Sequence, residues 1–399
     1  MLQPNLLDLF WEGFQLKSHR HLSSQQLLLV LEAVLSPRCS GCGNTVDRVH
    51  DQRRRIVRER DLFDQRVLLE VPVRRVACAR CGVRVERIDW LDGRRHLTLA
   101  LRRYAEALLP ILPVKHVADL LGLHWHTVKQ IDKQRLEREV TEPDRRHLRY
   151  LLMDEFALHK GHRYATIVSC AETQQVIWVG EGRSRQAIRP FFAWLGEACA
   201  RIEAVGMDMN TAFDREVQAH CPQAAVVYDL FHVIAKFGRE VIDRVRVDQA
   251  NRLGHDRPAR RVIKRSRWLL LRNRQNLTDE QALHLQELLT ANQPLTTVYL
   301  LKAQLKELWY APSERIARQR WREWYRLAME SGLGPLITFA RRLKPYLAGI
   351  IASARFRLNT SVLEGMNNRI KVIKRMAYGY RDTDYFFLKI KAAFPGKAR

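Results

Sequence analysis

The sequence lacks a long apolar run and is poor in acidic residues. No stretch of about eighteen apolar residues occurs, and the opening MLQPNLLDLFWEGFQLK lacks the basic-then-apolar order of a secretory signal. We therefore expect a cytoplasmic protein with no membrane partner. Asp and Glu number 43 against 68 Lys and Arg, which gives a net charge of +25 over 399 residues. This excess argues against an ordinary metabolic enzyme and favours a polyanionic partner, above all nucleic acid.

The chain also has few cysteines, and their spacing does not suit a disulfide set. Three of the seven, Cys170, Cys199 and Cys221, occur singly, as buried small apolar residues do. The other four form two CxxCG units, enough thiolates for a closed, structural zinc site. A strand predicted over 67–76 lies between the units, so the pattern favours a zinc ribbon over chance pairs of reduced cysteines. The predicted zinc ligands are Cys39, Cys42, Cys78 and Cys81.

Helical periodicity flanks this ribbon on both sides. Apolar residues at helical spacing predict one or two short helices within 1–35. A second helical stretch covers about 98–138, and within it 114–131 has the spacing of a helix-turn-helix with Gly122 at the turn. A plain helical hairpin is the alternative, which the basic charge disfavours. The side chains predicted to enter a major groove are His124, His126, Thr127, Lys129 and Gln130.

From residue 150 the pattern changes to short β runs. Runs at 150–158, 163–171 and 175–182 are followed by helix, strand, helix and strand, an order that predicts a mixed sheet of the ribonuclease H type. No strand pattern occurs from about 245 to 350, so we expect a helical insertion there. Nine Lys and Arg stand against one acidic residue within 251–275. The predicted DNA contacts in this stretch are Arg260, Arg261, Lys264 and Arg265.

Three acidic residues are the candidate catalytic group. Asp154 stands at the end of the first β run and Asp208 at the end of the fourth, and these strands are neighbours in a ribonuclease H-type sheet. Glu364 lies on a predicted helix, opposite an apolar stripe. Carboxylates of this kind can share the divalent cations that phosphodiester chemistry needs. The same helix carries amides and cations that are predicted to hold the DNA backbone: Asn368, Lys371, Lys374 and Arg375.

Further polar residues lie next to this group. Asp229 and His232, just after the fifth β run, are predicted either to orient the metal site or to form a helix cap with a satisfied histidine. Glu155 is expected to point to the opposite side of its strand from Asp154, and we interpret it as structural.

The sequence resembles the DDE transposases of bacterial insertion sequences, specifically the ISL3 family, over nearly its whole length. CSGCG and CARCG resemble that family's zinc ribbon, and VADLLGLHWHTVKQIDKQRL resembles its helix-turn-helix. Four further segments resemble that family's catalytic blocks: MDEFALHKGHRYATIV, VGMDMNTAFDREV, VVYDLFHVIAKF and LEGMNNRIKVIKRMAYGYR. The resemblance implies a ribonuclease H-like core, Mg²⁺ or Mn²⁺ dependence and catalytic roles for Asp154, Asp208 and Glu364. It also implies a homo-oligomer, at least a dimer on DNA, acting at the bacterial nucleoid.

We therefore expect a multidomain α+β chain in which a zinc ribbon and a helix-turn-helix precede a ribonuclease H-like mixed α/β core interrupted by an α-helical insertion. The predicted segments are 1–95 for the N-terminal helices and ribbon, 96–148 for the helix-turn-helix, 149–245 for the first part of the core, 246–350 for the insertion and 351–399 for the C-terminal helix with Glu364.

The predicted function is binding of terminal inverted repeats on double-stranded DNA, followed by cleavage and transfer to target DNA. Two alternatives remain open. A DNA-binding regulator would explain the charge and the cysteines but would not need three acidic residues. A structure-specific nuclease would explain the acidic residues but not an N-terminal reading module.

Overall fold

The computed structural model describes residues 10–93, 96–159, 161, 163–358 and 361–397. The chain divides into two compact units, Met1–Glu139 and Val140–Arg399. The finer division into five segments stays a prediction. Within the described ranges, no helix is both long and apolar enough to cross a membrane.

The first unit contains a five-stranded sheet with its own apolar core. Strands β1, β2, β4 and β3 are neighbours in that order, with β5 paired to β4. The β2–β4 pair is parallel and the other pairs are antiparallel. Leu31, Leu69 and Val71 are fully buried in the core. The strands are β1 (Phe14–Ser23), β2 (Gln26–Ala33), β3 (Val49–Arg58), β4 (Arg66–Cys78) and β5 (Gly82–Val85).

The helices predicted within 1–35 are wrong for the part of that range that the structure describes. Residues 1–9 lie outside the described residues, and the rest is occupied by β1 and β2. The near-continuous apolar run of β2 is buried because β2 lies between two other strands. Such a short run on a central strand cannot be told from a buried helix by periodicity alone. The strand predicted over 67–76 is confirmed as the middle of β4.

Three helices complete the first unit and form the predicted helix-turn-helix. They are α1 (Leu99–Leu108), α2 (Val114–Leu121) and α3 (Trp125–Glu139). Helix α2 ends at Gly122, which adopts the left-handed conformation (φ 62°, ψ 34°) that a glycine allows at low cost. Val117, Leu121, Val128 and Ile131 are buried together between the helices, as the spacing of a helix-turn-helix requires.

The second unit is built on the predicted mixed sheet. In the strand order β10-β9-β6-β7-β8, the first three strands are parallel and β7 and β8 are antiparallel to their neighbours. This is the ribonuclease H-like arrangement, in which the first and fourth strands of the unit lie side by side. The strands are β6 (Tyr150–His159), β7 (Arg163–Cys170), β8 (Val176–Glu181), β9 (Ala204–Met207) and β10 (Ala225–Tyr228).

The other regular elements of this unit are helices, and the expected insertion contains helices and loops but no strand between about 245 and 350. Those within the first part of the core are α4 (Arg185–Leu195), α5 (Thr211–His220) and α6 (Leu230–Phe237). The insertion contains α7 (Asp243–Arg252), α8 (Arg257–Arg265), α9 (Arg267–Leu271), α10 (Asp279–Ala291), α11 (Gln293–Lys306), α12 (Glu314–Glu330), α13 (Gly334–Leu343) and α14 (Leu347–Ala352). The chain returns to the core with α15 (Ser361–Met376) and α16 (Thr383–Ala393).

The two faces of this sheet are covered by different parts of the chain. Leu151 and Met153 of β6 join a core shared with α4, α5 and the insertion. Because side chains alternate along a strand, Leu152 and Phe156 point the other way, where they pack against α15 and α16. Asp154 lies between Leu152 and Phe156 in the same alternation, which directs its side chain toward α15.

The insertion is joined to the sheet by a close approach between α14 and β10. Gly349 of α14 lies so near the ring of Tyr228 that a β-carbon would come within 2.4 Å of Tyr228 Cε2 and 3.0 Å of the Val226 carbonyl oxygen. The indole Nε1 of Trp309 also donates a 2.8 Å hydrogen bond to the Tyr228 carbonyl. A residue without a side chain is therefore needed at this crossing.

Candidate functional site

Asp154 and Asp208 are brought together by the register of two parallel strands. Met153 of β6 pairs with Met207, the last residue of β9, so Asp154 and Asp208 are the next residues on each strand. Asp154 is not at the end of its strand as predicted, because β6 continues along β7 as far as His159. The expected proximity of the two carboxylates is nevertheless present.

The carboxylate of Asp154 is buried and lacks an ion-pair partner among the described Lys and Arg residues. It is 7 % exposed. One oxygen, Oδ1, accepts from the Glu155 backbone N–H at 2.8 Å, and Oδ2 accepts from Asn367 Nδ2 at 2.7 Å. Burial raises the pKa of Asp154 to about 6, a rise to which Asp208 adds and which the Glu155 amide and His232 oppose.

Asp208 begins the loop that leads into α5. Its Oδ1 accepts from the Met209 backbone N–H at 2.6 Å. Asn210 then caps α5 by accepting from the Ala212 backbone N–H at 2.9 Å, and its amide donates to Glu155 at 3.3 Å. Glu155 also binds Arg183 at 2.7 Å, so it is committed to structural contacts, as its expected orientation indicated.

The helix cap considered for Asp229 is present, and His232 is bound to it; the role in orienting a metal site stays a prediction. Asp229 Oδ1 accepts from the Phe231 backbone N–H at 2.9 Å and caps α6, while Oδ2 binds His232 Nδ1 at 2.7 Å. The Asp229 carboxylate, with smaller contributions from Asp208 and Asp154, raises the pKa of His232 to about 9. An imidazolium therefore faces the two carboxylates at neutral pH.

Glu364 lies in the first turn of α15 and lines a cavity of about 1100 Å³ that also contains Asp154 and His232. The opposite wall is formed by the insertion, with Arg272, Asn273, Lys306, Trp309 and Tyr310. The three predicted catalytic carboxylates are not gathered as closely as metal ligands. Among the described residues, only the four cysteines form a group of three or more candidate ligands within 4.8 Å of one another, and Asp208 does not line this cavity.

Asn367, which helical spacing places on the polar face of α15 with Glu364, was not assigned to the site from the sequence. It lies one helical turn after Glu364 on the same side of α15, and that spacing was the available signal. Its Nδ2 binds Asp154, whereas its Oδ1 is buried without a hydrogen-bond partner in the described part of the chain. A buried amide oxygen without a donor next to an unpaired carboxylate is an oxygen-rich set of the kind that hard divalent cations bind.

The four cysteines form the predicted second metal centre. The Sγ atoms of Cys42 and Cys78 are 3.6 Å apart, close to the value of about 3.8 Å for two thiolates on one tetrahedral zinc ion. The backbone amides of Cys42 and Gly41 lower the pKa of Cys39 to about 7, which favours the thiolate that zinc binds. The cluster therefore fits a structural zinc ion, and it lies in the zinc ribbon of the first unit.

The predicted DNA contacts lie mostly on accessible surfaces. His124 and His126 are exposed at the start of α3, where His124 Nδ1 accepts from the His126 N–H at 3.3 Å, and Thr127, Lys129 and Gln130 are partly exposed. Trp125, between the two histidines and about half exposed, was missed. Arg261, Lys264 and Arg265 are exposed on α8, and Arg260 is half-buried.

On α15 the predicted contacts divide into two groups. Asn368 and Lys371 line the cavity with Glu364. Lys374 donates to the Ala157 carbonyl at 3.1 Å, so part of its hydrogen-bonding capacity serves β6, and Arg375 lies in the last turn of the helix.

Family models match three consecutive stretches of the chain. The zinc-finger of transposase IS204/IS1001/IS1096/IS1165 matches residues 36–81, the helix-turn-helix domain of transposase family ISL3 matches 86–136, and the DDE transposase model of the same family matches 151–390. These matches fall on the cysteine cluster, on α1 to α3 and on the sheet with its helices.

Two relatives are similar over most of their length. The transposase for insertion sequence element IS1001 of Bordetella parapertussis is 57 % identical over 363 residues, 90 % of this chain and 89 % of that protein. The transposase for insertion sequence element IS1557 of Mycobacterium tuberculosis (strain ATCC 25618 / H37Rv) is 27 % identical over 86 % of this chain and 82 % of its own. The solved Drosophila P element transposase strand transfer complex aligns with 73 % of this chain and 90 % of that one at a TM-score of 0.38 and 10 % identity, which is too low to carry an argument.

A zinc ribbon, a helix-turn-helix and a ribonuclease H-like sheet with adjoining carboxylates together define a DNA-binding transposase. The models and the relatives then fix the group: the chain belongs to the ISL3 family of DDE transposases.

Proposed function

We propose that this protein binds the terminal inverted repeats of an insertion sequence and catalyses metal-dependent cleavage and strand transfer there. The observation that carries the proposal is the buried carboxylate of Asp154, which has no Lys or Arg partner among the described residues and lies beside Asp208 in the sheet and in one cavity with Glu364. Burying such a charge costs stability, so its presence inside the central strand of the sheet favours a function.

Asp154, Asp208 and Glu364 are the residues that would hold divalent cations, and the approach of Asp208 and Glu364 to Asp154 is part of this proposal. Bound Mg²⁺ or Mn²⁺ would supply the charge that activates an attacking oxygen and stabilises a leaving one. Asn367 fixes Asp154 through Oδ2 and offers its free Oδ1. Asp229 keeps His232 protonated toward the carboxylates.

The reaction proposed is two successive substitutions at phosphorus. Water attacks the phosphodiester at the end of the element, and the P–O bond to the 3′ oxygen breaks to leave a free 3′-hydroxyl. That hydroxyl then attacks a phosphodiester of the target and releases a strand end there. Neither step forms a bond to the protein, so no nucleophilic side chain is required. The Lys371 and Lys306 ammonium groups in the same cavity suit the phosphates on either side of the reacting one.

Recognition of the ends is assigned to the first unit. His124, His126, Thr127, Lys129 and Gln130 on or beside α3 are proposed to read the major groove, and the ribbon is proposed to bind phosphates next to it. Joining two ends of one element requires two such units, so we propose that the protein acts as a homo-oligomer, at least a dimer on DNA.

Incubation with Mg²⁺ and DNA carrying the inverted repeats that flank the reading frame tests this proposal. We expect cleavage at the repeat and joining to a second DNA. Asp208→Asn and Glu364→Gln should abolish both while keeping DNA affinity, and Glu287→Gln on α10 is the matched control that should change neither. Binding without cleavage would support a regulator, and cleavage without joining would support a nuclease. Retention of full joining by Asp208→Asn would contradict the assignment of that residue.

A further inference from the structure

A second cavity, of about 750 Å³, lies at the amino ends of strands β6, β9 and β10, whereas Asp208 follows the carboxyl end of β9. It is lined by residues at the amino ends of these strands, among them Arg149 before β6, Glu203 before β9 and Ala225 at the start of β10. The proposed reaction uses none of its residues, although Phe356 lines this cavity and the catalytic one alike.

The lining of this second cavity is strongly basic. Four guanidinium groups, from Arg146, Arg149, Arg201 and Arg355, stand against the carboxylates of Glu172 and Glu203. Two of the four are committed, because Arg149 binds Glu203 at 2.6 Å and Arg146 binds Asp144 at 2.9 Å. Arg201 and Arg355 are exposed and form no ion pair with a described residue. Arg355 also interacts electrostatically with Glu203, but its guanidinium hydrogen atoms are not bound to the carboxylate of a described residue, and two such guanidinium groups on a concave surface are suited to a phosphate.

The backbone that carries Arg201 and the side chain of Arg355 are each held by a contact. Gln223 donates through Nε2 to the carbonyls of Cys199 at 2.6 Å and Ile202 at 3.0 Å, which fixes the turn that carries Arg201. The Arg355 guanidinium lies over the Phe356 ring, 4.9 Å from its centroid. A site whose walls are already fixed loses little entropy when a ligand binds.

The segment after α14 connects the two cavities. Arg355 lines the basic cavity, Arg357 lines the catalytic one, and Phe356 between them lines both. We propose that the basic cavity is a phosphodiester-binding site for the stretch of DNA that leaves the catalytic cavity, with Arg201 and Arg355 as its phosphate ligands. The choice of DNA as the polyanion rests on the proposed function, whereas the phosphate chemistry of the cavity does not.

The test compares Arg201→Gln/Arg355→Gln with the control Arg322→Gln, which removes an exposed arginine of α12 outside both cavities. Binding is measured without divalent cations on two DNA duplexes that carry the inverted repeat. The extended DNA continues beyond the cleavage position, and the short DNA stops there. We expect the double variant to lose about tenfold or more in affinity for the extended DNA and to lower the slope of log K against log salt by about two. Affinity for the short DNA, and both affinities of the control, should stay unchanged.

Single neutral methylphosphonates then locate the contact. At one position of the extended DNA, the substitution should weaken binding by the wild-type protein but not by the double variant. The proposal is overturned if the double variant binds extended DNA as the control does. It is also overturned if inorganic phosphate or ATP binds through these arginines while extended DNA is bound equally with and without them. Because the experiment measures binding and not cleavage, its result can be interpreted even if the proposed catalytic function is wrong.

Discussion

At the residue scale, Asp154 carries a charge that the fold stabilises only in part. Two hydrogen bonds reach its carboxylate, yet burial raises its pKa to about 6. The folded state therefore holds the Asp154 proton more tightly than the unfolded state does. Folding stability due to this group falls as pH rises from about 4 to about 6, and the full penalty is present above that range.

We predict that Asp154→Asn abolishes cleavage but stabilises the metal-free fold. At pH 7.5 the gain should be up to about 3 kcal/mol, since each pKa unit corresponds to about 1.4 kcal/mol, and it should vanish near pH 4. Urea unfolding without divalent cations and without chelator measures it. Asp144→Asn is the control of opposite sign, because Arg146 holds the pKa of Asp144 far below its ordinary range. An Asp154→Asn protein less stable than wild type at pH 7.5 would contradict the prediction.

Asn367 is predicted to act on the metal through Asp154. Asn367→Ala removes the donor to Oδ2 and the free amide oxygen, so we expect Mn²⁺ affinity to fall by about tenfold or more and cleavage to fall with it. DNA affinity measured without metal should be unchanged. Asn251→Ala, on the exposed side of α7, is the control. Equal Mn²⁺ binding by Asn367→Ala and wild type, measured by titration calorimetry, would refute this role.

The sequence predicts those contacts of the site that follow from the order of the strands. It does not predict the contacts that depend on how a helix packs across the sheet. The pairing of Asp154 with Asp208 follows from the strand order, which the β runs contain. The Asp154–Asn367 bond joins residues 213 apart and depends on how α15 lies across the sheet, which no spacing in the sequence encodes. The apolar stripe on α15 identified the packed face but not its partner strand.

At the element scale, the crossing of α14 over β10 sets a strict size limit. We predict that Gly349→Ala destabilises the second unit by about 1–3 kcal/mol, because the new β-carbon would overlap the Tyr228 ring. Gly365→Ala, inside α15 with open space around it, is the matched control and should stabilise by up to about 1 kcal/mol. Thermal unfolding measures both, and equal shifts for the two variants would show that the crossing is loose.

Strands were predicted correctly where the pattern of apolar residues fits a strand but not a helix. The β runs from 150 onward alternate or are bounded by turns, and each is confirmed within a few residues. The opening stretch failed because β2 is apolar on both faces, so its pattern lacks the alternation that marks a strand. The parallel pairing of β2 with β4, which buries it, joins segments some forty residues apart.

At the scale of the whole molecule, two units with separate cores predict separate responses to zinc loss. Four thiolates tie β4 to the loop after β2, while the second unit has no part in the cysteine cluster. We expect a zinc chelator to lower the unfolding temperature of the first unit in scanning calorimetry and to weaken DNA binding. The reason is that loss of the metal removes folding free energy from the domain that binds it. The transition of the second unit should stay in place. A common shift of both transitions would contradict this.

The position of α15 late in the chain also determines when the second unit can complete its fold during synthesis. Glu364 follows Glu139, the last residue of the first unit, by 225 positions. At a synthesis rate of about 5–20 residues per second, the ribosome needs on the order of 10–45 seconds to cover that distance. During this interval, the DNA-reading unit has left the ribosome, while the face of β6 that awaits α15 is still bare. The first unit can thus complete its fold before Glu364 has joined the second unit.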